Sequence, residues 1–89
     1  MDWSIGVVGT GVMAETMIAG LREEGTDAAR IIASHRRMDR LKFLEERYGI
    51  RTTLSNAEAA QADLVVLAVK PQTLPGVLAE LRGKIPEKS

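Results

Sequence analysis

Short apolar runs alternate with segments of helical periodicity along the whole chain. Apolar runs predict four strands, at residues 4–8, 31–34, 50–54 and 64–69. Apolar residues recur with helical spacing in segments 12–24 and 38–48, and two shorter helices are predicted at 57–61 and 74–81. The resulting order is β-α-β-α-β-α-β-α.

Capping residues, a proline and several glycines indicate where the predicted helices begin and end. Ser55 or Asn56 offers an N-cap for the third helix, and Glu58 stands three residues after Ser55 as a capping-box partner. Pro75 and Gly76 are expected in the first turn of the last helix. Three helices are predicted to end at glycines: Gly25, Gly49 and Gly83.

The alternation predicts an α/β fold. Strands separated by helices form a parallel sheet through right-handed crossovers, with helices on both faces. We expect a Rossmann-like three-layer arrangement with strand order 3-2-1-4 in one domain covering residues 1–89. Because 64–69 is six consecutive apolar residues, it suggests a strand buried on both faces.

The composition of the chain argues against several classes of protein and of metal site. Twelve basic residues balance twelve acidic ones, which argues against a general nucleic-acid or anionic-membrane binder. Without cysteine, and with His35 as the single histidine, thiolate and multi-histidine metal sites are excluded. No apolar run approaches the length of a membrane span, and no secretory signal is visible. These features favour a soluble cytoplasmic protein.

The strongest local motif follows the first strand and opens the first helix: Gly9-Thr10-Gly11-Val12-Met13-Ala14. Gly9 permits a tight turn, Gly11 lets a pyrophosphate approach the backbone, and Ala14 lets the helix pack closely on the sheet. The free amides of the first helical turn add an anion site. The motif therefore predicts dinucleotide binding, and the alternative is a glycine-rich turn without ligand.

The end of the second strand indicates which dinucleotide. NAD sites usually place an acidic residue there, whereas this chain has Ser34-His35-Arg36-Arg37. The helix dipole disfavours arginines at a helix N-terminus unless an anion shares the site. The 2′-phosphate of NADP(H) would be such an anion. Such contacts correspond to about a 10- to 100-fold preference over NAD(H). The alternative is a solvated basic turn. We interpret His35 as a neighbour of the adenine or ribose and not as a general base.

Two further elements are expected at the same crevice. The fourth strand ends in Ala68-Val69-Lys70-Pro71, which would face the glycine turn. Lys70 is either a catalytic residue or a solvent-facing lysine that frames the pocket. Spacing alone favours Asn56 as a helix cap, with contact to the cofactor as the alternative.

Four stretches, residues 5–15, 32–36, 56–59 and 67–72, together carry a family resemblance. In order and spacing they resemble the N-terminal domain of pyrroline-5-carboxylate reductase, and F420-dependent NADP reductases share parts of the pattern. The resemblance implies hydride transfer from NAD(P)H to the C=N carbon of pyrroline-5-carboxylate, which gives proline.

The resemblance also implies roles for single residues. Residues 8–13 would wrap the dinucleotide phosphates, Asn56 would touch the cofactor, and residues 68–71 would line the nicotinamide ribose. The 2′-phosphate region would contact Ser34, His35 and Arg36. The complete predicted cofactor site is Val8, Gly9, Thr10, Gly11, Val12, Met13, Ser34, His35, Arg36, Arg37, Asn56, Ala68, Val69, Lys70 and Pro71.

The family continues with a helical C-terminal domain that forms the dimer and binds the small-molecule substrate. The sequence stops at Ser89, so we interpret it as truncated, with no identifiable proton donor and no activity on its own. The fourth strand would then be an exposed apolar edge, which predicts a homo-oligomer. Alternatives are a non-catalytic NADP-binding sensor, an F420-dependent NADP reductase type of domain, and an assembly scaffold.

Overall fold

A computed structural model describes residues 3–9 and 11–82. Its four strands form one parallel sheet in the order β3-β2-β1-β4, as predicted. The elements in chain order are β1 (Ile5–Val8), α1 (Val12–Glu23), a 3-10 turn (Ala28–Arg30), β2 (Ile31–Ser34), α2 (Met38–Tyr48), β3 (Arg51–Thr53), α3 (Asn56–Ala59), β4 (Leu64–Leu67) and α4 (Leu74–Leu81).

Alternate residues of the central strands face opposite layers of helices. Val7 of β1 packs in one buried cluster with Ile18 of α1 and Leu44 of α2. Val8, the next residue, packs in a second cluster with α3 and α4, where it joins Leu81. Because side chains alternate along a strand, the sheet is covered on both faces and the predicted three-layer arrangement is confirmed.

The helix α1 ends as its sequence predicts. The Gly25 amide donates to the Arg22 carbonyl and the Thr26 amide donates to the Leu21 carbonyl. These two bonds form the Schellman arrangement that satisfies the last carbonyls of a helix. Gly49 follows α2 directly and has a left-handed backbone.

The short helix α3 lies directly on β1 at Gly6. A Cβ atom at Gly6 would overlap the carbonyl oxygen of Ala59. Ala59 and Ala60 are fully buried at this contact. Small residues on both sides therefore let the backbone of α3 approach the sheet, a role of Gly6 that the sequence analysis did not identify.

The hydrogen bonds at the start of α3 show which residue is its N-cap, and they contradict the predicted capping box. Ser55 is the N-cap, since its hydroxyl accepts from the Glu58 amide at 3.2 Å, and Asn56 is the first helical residue. The reciprocal half of the capping box is absent, because the Ser55 amide donates to Thr53 Oγ1 instead. Glu58 is therefore not the partner that we predicted for the Ser55 backbone.

Other predicted boundaries also need correction. The strand β4 ends at Leu67 instead of residue 69, and its residues are half-buried or exposed, so it is not buried on both faces. The helix α3 ends at Ala59 instead of residue 61, and residues 28–30 form an unpredicted 3-10 turn that Asp27 caps. Thr10 and Gly83 lie outside the described residues.

Candidate functional site

An open cavity of about 250 Å³ lies beyond the carboxyl ends of the strands. Residues that follow each strand line it: Gly9 after β1, His35 after β2, Asn56 after β3 and Ala68 after β4. The sheet order reverses at β1, which pairs with β2 on one side and β4 on the other. This edge of an open parallel sheet is where ligands of such folds bind.

The turn after β1 depends on glycine at position 9. Gly9 has a φ of 84°, a left-handed conformation that other residues rarely adopt. Its amide donates to the Ser34 carbonyl at 3.0 Å, which ties the turn to β2. A Cβ atom there would also lie 2.5 Å from Val69 Cγ1. Position 9 thus requires glycine for two reasons: its backbone is left-handed, and any side chain there would collide with the loop after β4.

Gly11, by contrast, faces open space. It is the N-cap of α1, no side chain caps the helix there, and a Cβ atom would meet nothing within 4 Å. Uncapped amides at a helix N-terminus carry partial positive charge and bind anions. Gly11 therefore leaves the start of α1 accessible from the cavity. Val12 and Met13 continue the helix, and Val8 is fully buried behind the turn.

The two arginines after β2 lie in different surroundings. Arg36 lines the cavity, whereas Arg37 is not among the lining residues. The Arg37 guanidinium forms two hydrogen bonds to the Asp39 carboxylate, at 3.2 and 2.8 Å, in an exposed ion pair. The charge of Arg37 is thus already paired at the N-terminus of α2.

His35 directly precedes these arginines in the sequence and lines the cavity. Burial lowers the pKa of its imidazole, and the positive charges of Arg40, Arg36 and Arg37 lower the pKa further. The Arg37 amide donates to Nδ1 of the ring at 3.0 Å. Nδ1 is therefore an acceptor, and the neutral ring carries its proton on Nε2.

Ser34 does not line the cavity, but it is hydrogen-bonded to Asn56, which does. Ser34 is fully buried, and its hydroxyl donates to Asn56 Oδ1 at 2.6 Å. Asn56 Nδ2 donates in turn to Glu80 Oε2 at 3.1 Å. Ser55 caps α3 and Asn56 lines the cavity, so the interpretation of Asn56 as the helix cap is wrong.

The loop after β4 closes the opposite side. The Ala68 amide donates to the Val8 carbonyl at 2.8 Å, which extends the pairing of β1 and β4 by one bond. Ala68, Val69 and Lys70 line the cavity, and Pro71 is exposed outside its lining. Lys70 is exposed as well, and its carbonyl accepts from the Thr73 amide at the start of α4.

Sequence reasoning missed the contribution of α4. Thr73 and Val77 line the first cavity, and with Glu80 they line an adjoining cavity of about 450 Å³. Arg36, Leu54 and Asn56 complete the walls of the second cavity together with Gly76. The spacing of 73, 77 and 80 places these residues on one helical face, which is a signal that the sequence contained.

A cluster of polar side chains holds α2 against the first turns of α1. Glu15 accepts from Arg40 at 2.7 Å and from the Tyr48 hydroxyl at 2.8 Å. The hydrogen bond from Tyr48, followed by that from Arg40, lowers the pKa of Glu15. Glu15 is only four residues beyond Gly11, so this cluster positions the helix that begins at the cavity.

Over 3–9 and 11–82, no three histidine, aspartate or glutamate side chains converge as metal ligands. None of the helices described here combines the length and the apolar character needed to cross a bilayer.

The model of one protein family, described as NADP oxidoreductase, coenzyme F420-dependent, matches residues 4–89. The chain belongs to this family. The predicted resemblance to pyrroline-5-carboxylate reductases is confirmed too. The chain is 41% identical over 85 residues to the enzyme of Synechocystis and 42% identical over 78 residues to that of Pseudomonas aeruginosa. These matches cover 93% and 86% of this chain.

The fold has a close counterpart among solved structures. The pyrroline-5-carboxylate reductase of Coxiella burnetii superposes with a TM-score of 0.92 at 39% identity, over 98% of this chain and 33% of that one. The chain likewise spans 32% of the Synechocystis protein and 29% of the Pseudomonas protein. It therefore corresponds to about a third of these relatives.

Proposed function

We propose that residues 1–89 form the dinucleotide-binding domain of an NADP(H)-dependent reductase that acts on 1-pyrroline-5-carboxylate and yields proline. The observation that supports this most is the convergence of Gly9, Gly11, Arg36 and Asn56 on one open cavity at the carboxyl edge of the sheet. The relatives named above are pyrroline-5-carboxylate reductases, which supports the choice of substrate.

The residues present suit a dinucleotide. The uncapped start of α1 and the open space at Gly11 suit a pyrophosphate, whose negative charge complements the helix dipole. In this proposal residues 8–13, including Thr10, surround the phosphates, and residues 68–71 border the nicotinamide ribose. The bound cofactor supplies the hydride for the C=N carbon. This chain's own residues bind and orient the cofactor, and none is proposed as the proton donor.

Arg36 is proposed to give NADP(H) its preference over NAD(H). It lines both cavities, so its charge is available to a 2′-phosphate there, and His35 lines the first of them. The buried Ser34 is connected to the same cavity through its hydrogen bond to Asn56. Arg37 is proposed to contribute less, because Asp39 already pairs with its guanidinium. The His35 ring, kept neutral by its lowered pKa, would contact the adenosine without adding charge.

Calorimetric titration with NADPH and NADH tests this assignment. We expect the chain to bind NADPH more tightly than NADH by about 10- to 100-fold, and Arg36→Ala to remove most of that difference. Arg51→Ala is the matched control, because it removes the same charge from the amino end of β3, away from the cavity. Equal affinity for the two nucleotides would refute the role of the 2′-phosphate.

Catalytic activity is a separate part of the proposal. We expect no proline from pyrroline-5-carboxylate with residues 1–89 alone, and formation of proline when a C-terminal substrate domain is present. The second candidate is exchange of hydride with coenzyme F420, which the description of the family model favours. Assays of a version that carries such a C-terminal domain, with pyrroline-5-carboxylate and with coenzyme F420 in turn, separate the two.

Self-association is proposed at β4. This strand pairs only with β1 in the described sheet, and Leu64 and Leu67 are 45% and 37% exposed. An apolar edge with unpaired backbone groups favours pairing with another strand. A homo-oligomer formed through this edge is therefore our proposal for residues 1–89.

A further inference from the structure

A chain of three side chains joins β2 to α4 beside the cavity. Ser34 donates to Asn56, and Asn56 donates to Glu80. Ser34 is fully buried, Asn56 is half-buried and Glu80 is exposed. The hydrogen bonds thus lead from the interior of the sheet to the rim of the second cavity, which both Asn56 and Glu80 line.

The chemistry of the two ends determines how the Asn56 amide faces. A carboxylate only accepts hydrogen bonds, so Glu80 requires the NH2 group of Asn56 to face α4. The amide oxygen then faces Ser34, whose hydroxyl can donate to it. One N–H of Nδ2 is used by Glu80, and the second N–H remains for a ligand in the cavity. Replacing Glu80 by glutamine would remove this constraint, because a glutamine amide both donates and accepts.

We propose that Glu80 is a positioning residue for nucleotide binding, which acts by holding the Asn56 amide in one orientation. The inference rests on the proposed function, because it needs a nucleotide in the cavity that Asn56 lines. No short-range pattern connects Glu80 with Asn56, which lie 24 residues apart. Packing of α4 beside α3 brings them together.

Two other roles for Glu80 predict different results. A direct contact of Glu80 with the nucleotide would not depend on Asn56. A purely electrostatic role, next to Arg36 at the same cavity, would oppose a 2′-phosphate, so removal of the negative charge would tighten NADPH binding. Positioning through Asn56 predicts weaker binding, and only when Asn56 is present.

The test is a double-mutant cycle read by calorimetric titration with NADPH. We expect Glu80→Gln to weaken NADPH binding by about two- to tenfold. The same substitution should have no effect in an Asn56→Ala background. Glu58→Gln is the matched control, since it removes one exposed carboxylate from α3 and should leave affinity unchanged. An equal loss in both backgrounds, or tighter binding in Glu80→Gln, would overturn the proposal.

A measurement without nucleotide separates this proposal from the proposed function. The Asn56 side-chain amide resonances in a ¹⁵N spectrum should shift in Glu80→Gln and stay in place in Glu58→Gln. Unchanged Asn56 resonances would overturn the positioning role. If Glu80→Gln shifts the Asn56 resonances but the wild-type chain binds no NADPH, the proposed function fails and Glu80 is left as a structural partner of Asn56. If the wild-type chain binds and Glu80→Gln binds equally well, only the positioning role fails.

Discussion

The strands β2 and β4 flank the same strand and yet differ in burial. Ile31 of β2 and Leu64 of β4 are both in register with Ile5 of β1. Ile31 is completely buried, whereas Leu64 is 45% exposed. The whole of β2 is buried, and no residue of β4 is. Equivalent positions beside one strand therefore have very different surroundings.

The difference arises from the neighbours of each strand. β2 lies between β1 and β3, and its Ile31 and Ala33 pack under α1 and α2. Its other face, with Ile32, packs in the cluster that α3 and α4 contribute to. β4 has one partner strand in the described sheet, and only Val65 contacts a core cluster. An apolar run thus predicts a strand, whereas the place of the strand in the sheet decides its burial.

The largest difference in the free energy of unfolding is expected between alanine substitutions of the two residues in register with Ile5. Ile31→Ala should lower the free energy of unfolding by about 3 kcal/mol, because it leaves a cavity in a closed core. Leu64→Ala should cost about 1 kcal/mol, since much of its side chain is already in water. Urea denaturation measures both.

The milder Ile31→Val serves as a control if Ile31→Ala does not fold, with an expected loss of about 1 kcal/mol. Losses of equal size for Ile31→Ala and Leu64→Ala would contradict the contrast between β2 and β4.

A smaller effect is expected where α1 and α2 are held together over β2. Glu15 has a lowered pKa in the folded chain, so its bonds to Tyr48 and Arg40 stabilise the fold above the ordinary glutamate pKa. This contribution is lost as pH falls through the lowered value. Glu15→Gln should cost about 1 kcal/mol at neutral pH and remove that part of the acid dependence. Urea denaturation at neutral pH and at acid pH measures it.

The exposed pair of Arg37 and Asp39 provides the matched control. Asp39→Asn also removes a carboxylate with a lowered pKa, but both partners are largely solvated, and little change in stability is expected. If the stability of Glu15→Gln depends on acid pH as the wild type does, the hydrogen bonds of Glu15 to Arg40 and Tyr48 do not stabilise the packing of α1 and α2 over β2.

The smallest effect on folding is expected at the β4 edge. Leu64→Lys should change the free energy of unfolding by about 1 kcal/mol or less, yet suppress self-association, because charged residues discourage strand pairing at an edge. Size-exclusion chromatography with light scattering measures the mass. Leu78→Lys on α4 introduces the same change at a similarly exposed leucine and should leave association intact. A monomeric wild-type chain at high concentration would argue against pairing through β4.

Features encoded over short stretches of chain were predicted well. The helix ends at Gly25 and Gly49 and the bounds of β2 and α2 follow from apolar periodicity and glycine placement. The strand order follows from the alternation of strands and helices along the chain. The cap of α3 was not decided, because Ser55 and Asn56 are both good capping residues and only the hydrogen bonds distinguish them. The edge position of β4 in the described sheet was expected, although its apolar run alone indicated a strand buried on both faces.

The sequence by itself determined the alternating α/β architecture and the glycine turn that follows β1, because both depend on residues close together in the chain. Only the tertiary structure decided that Arg36 lines the cavity while Arg37 pairs with Asp39. It alone also brought Glu80 to Asn56 and Ala59 to Gly6. These contacts join residues far apart along the chain, and they form only when the helices pack on the sheet at particular distances and angles.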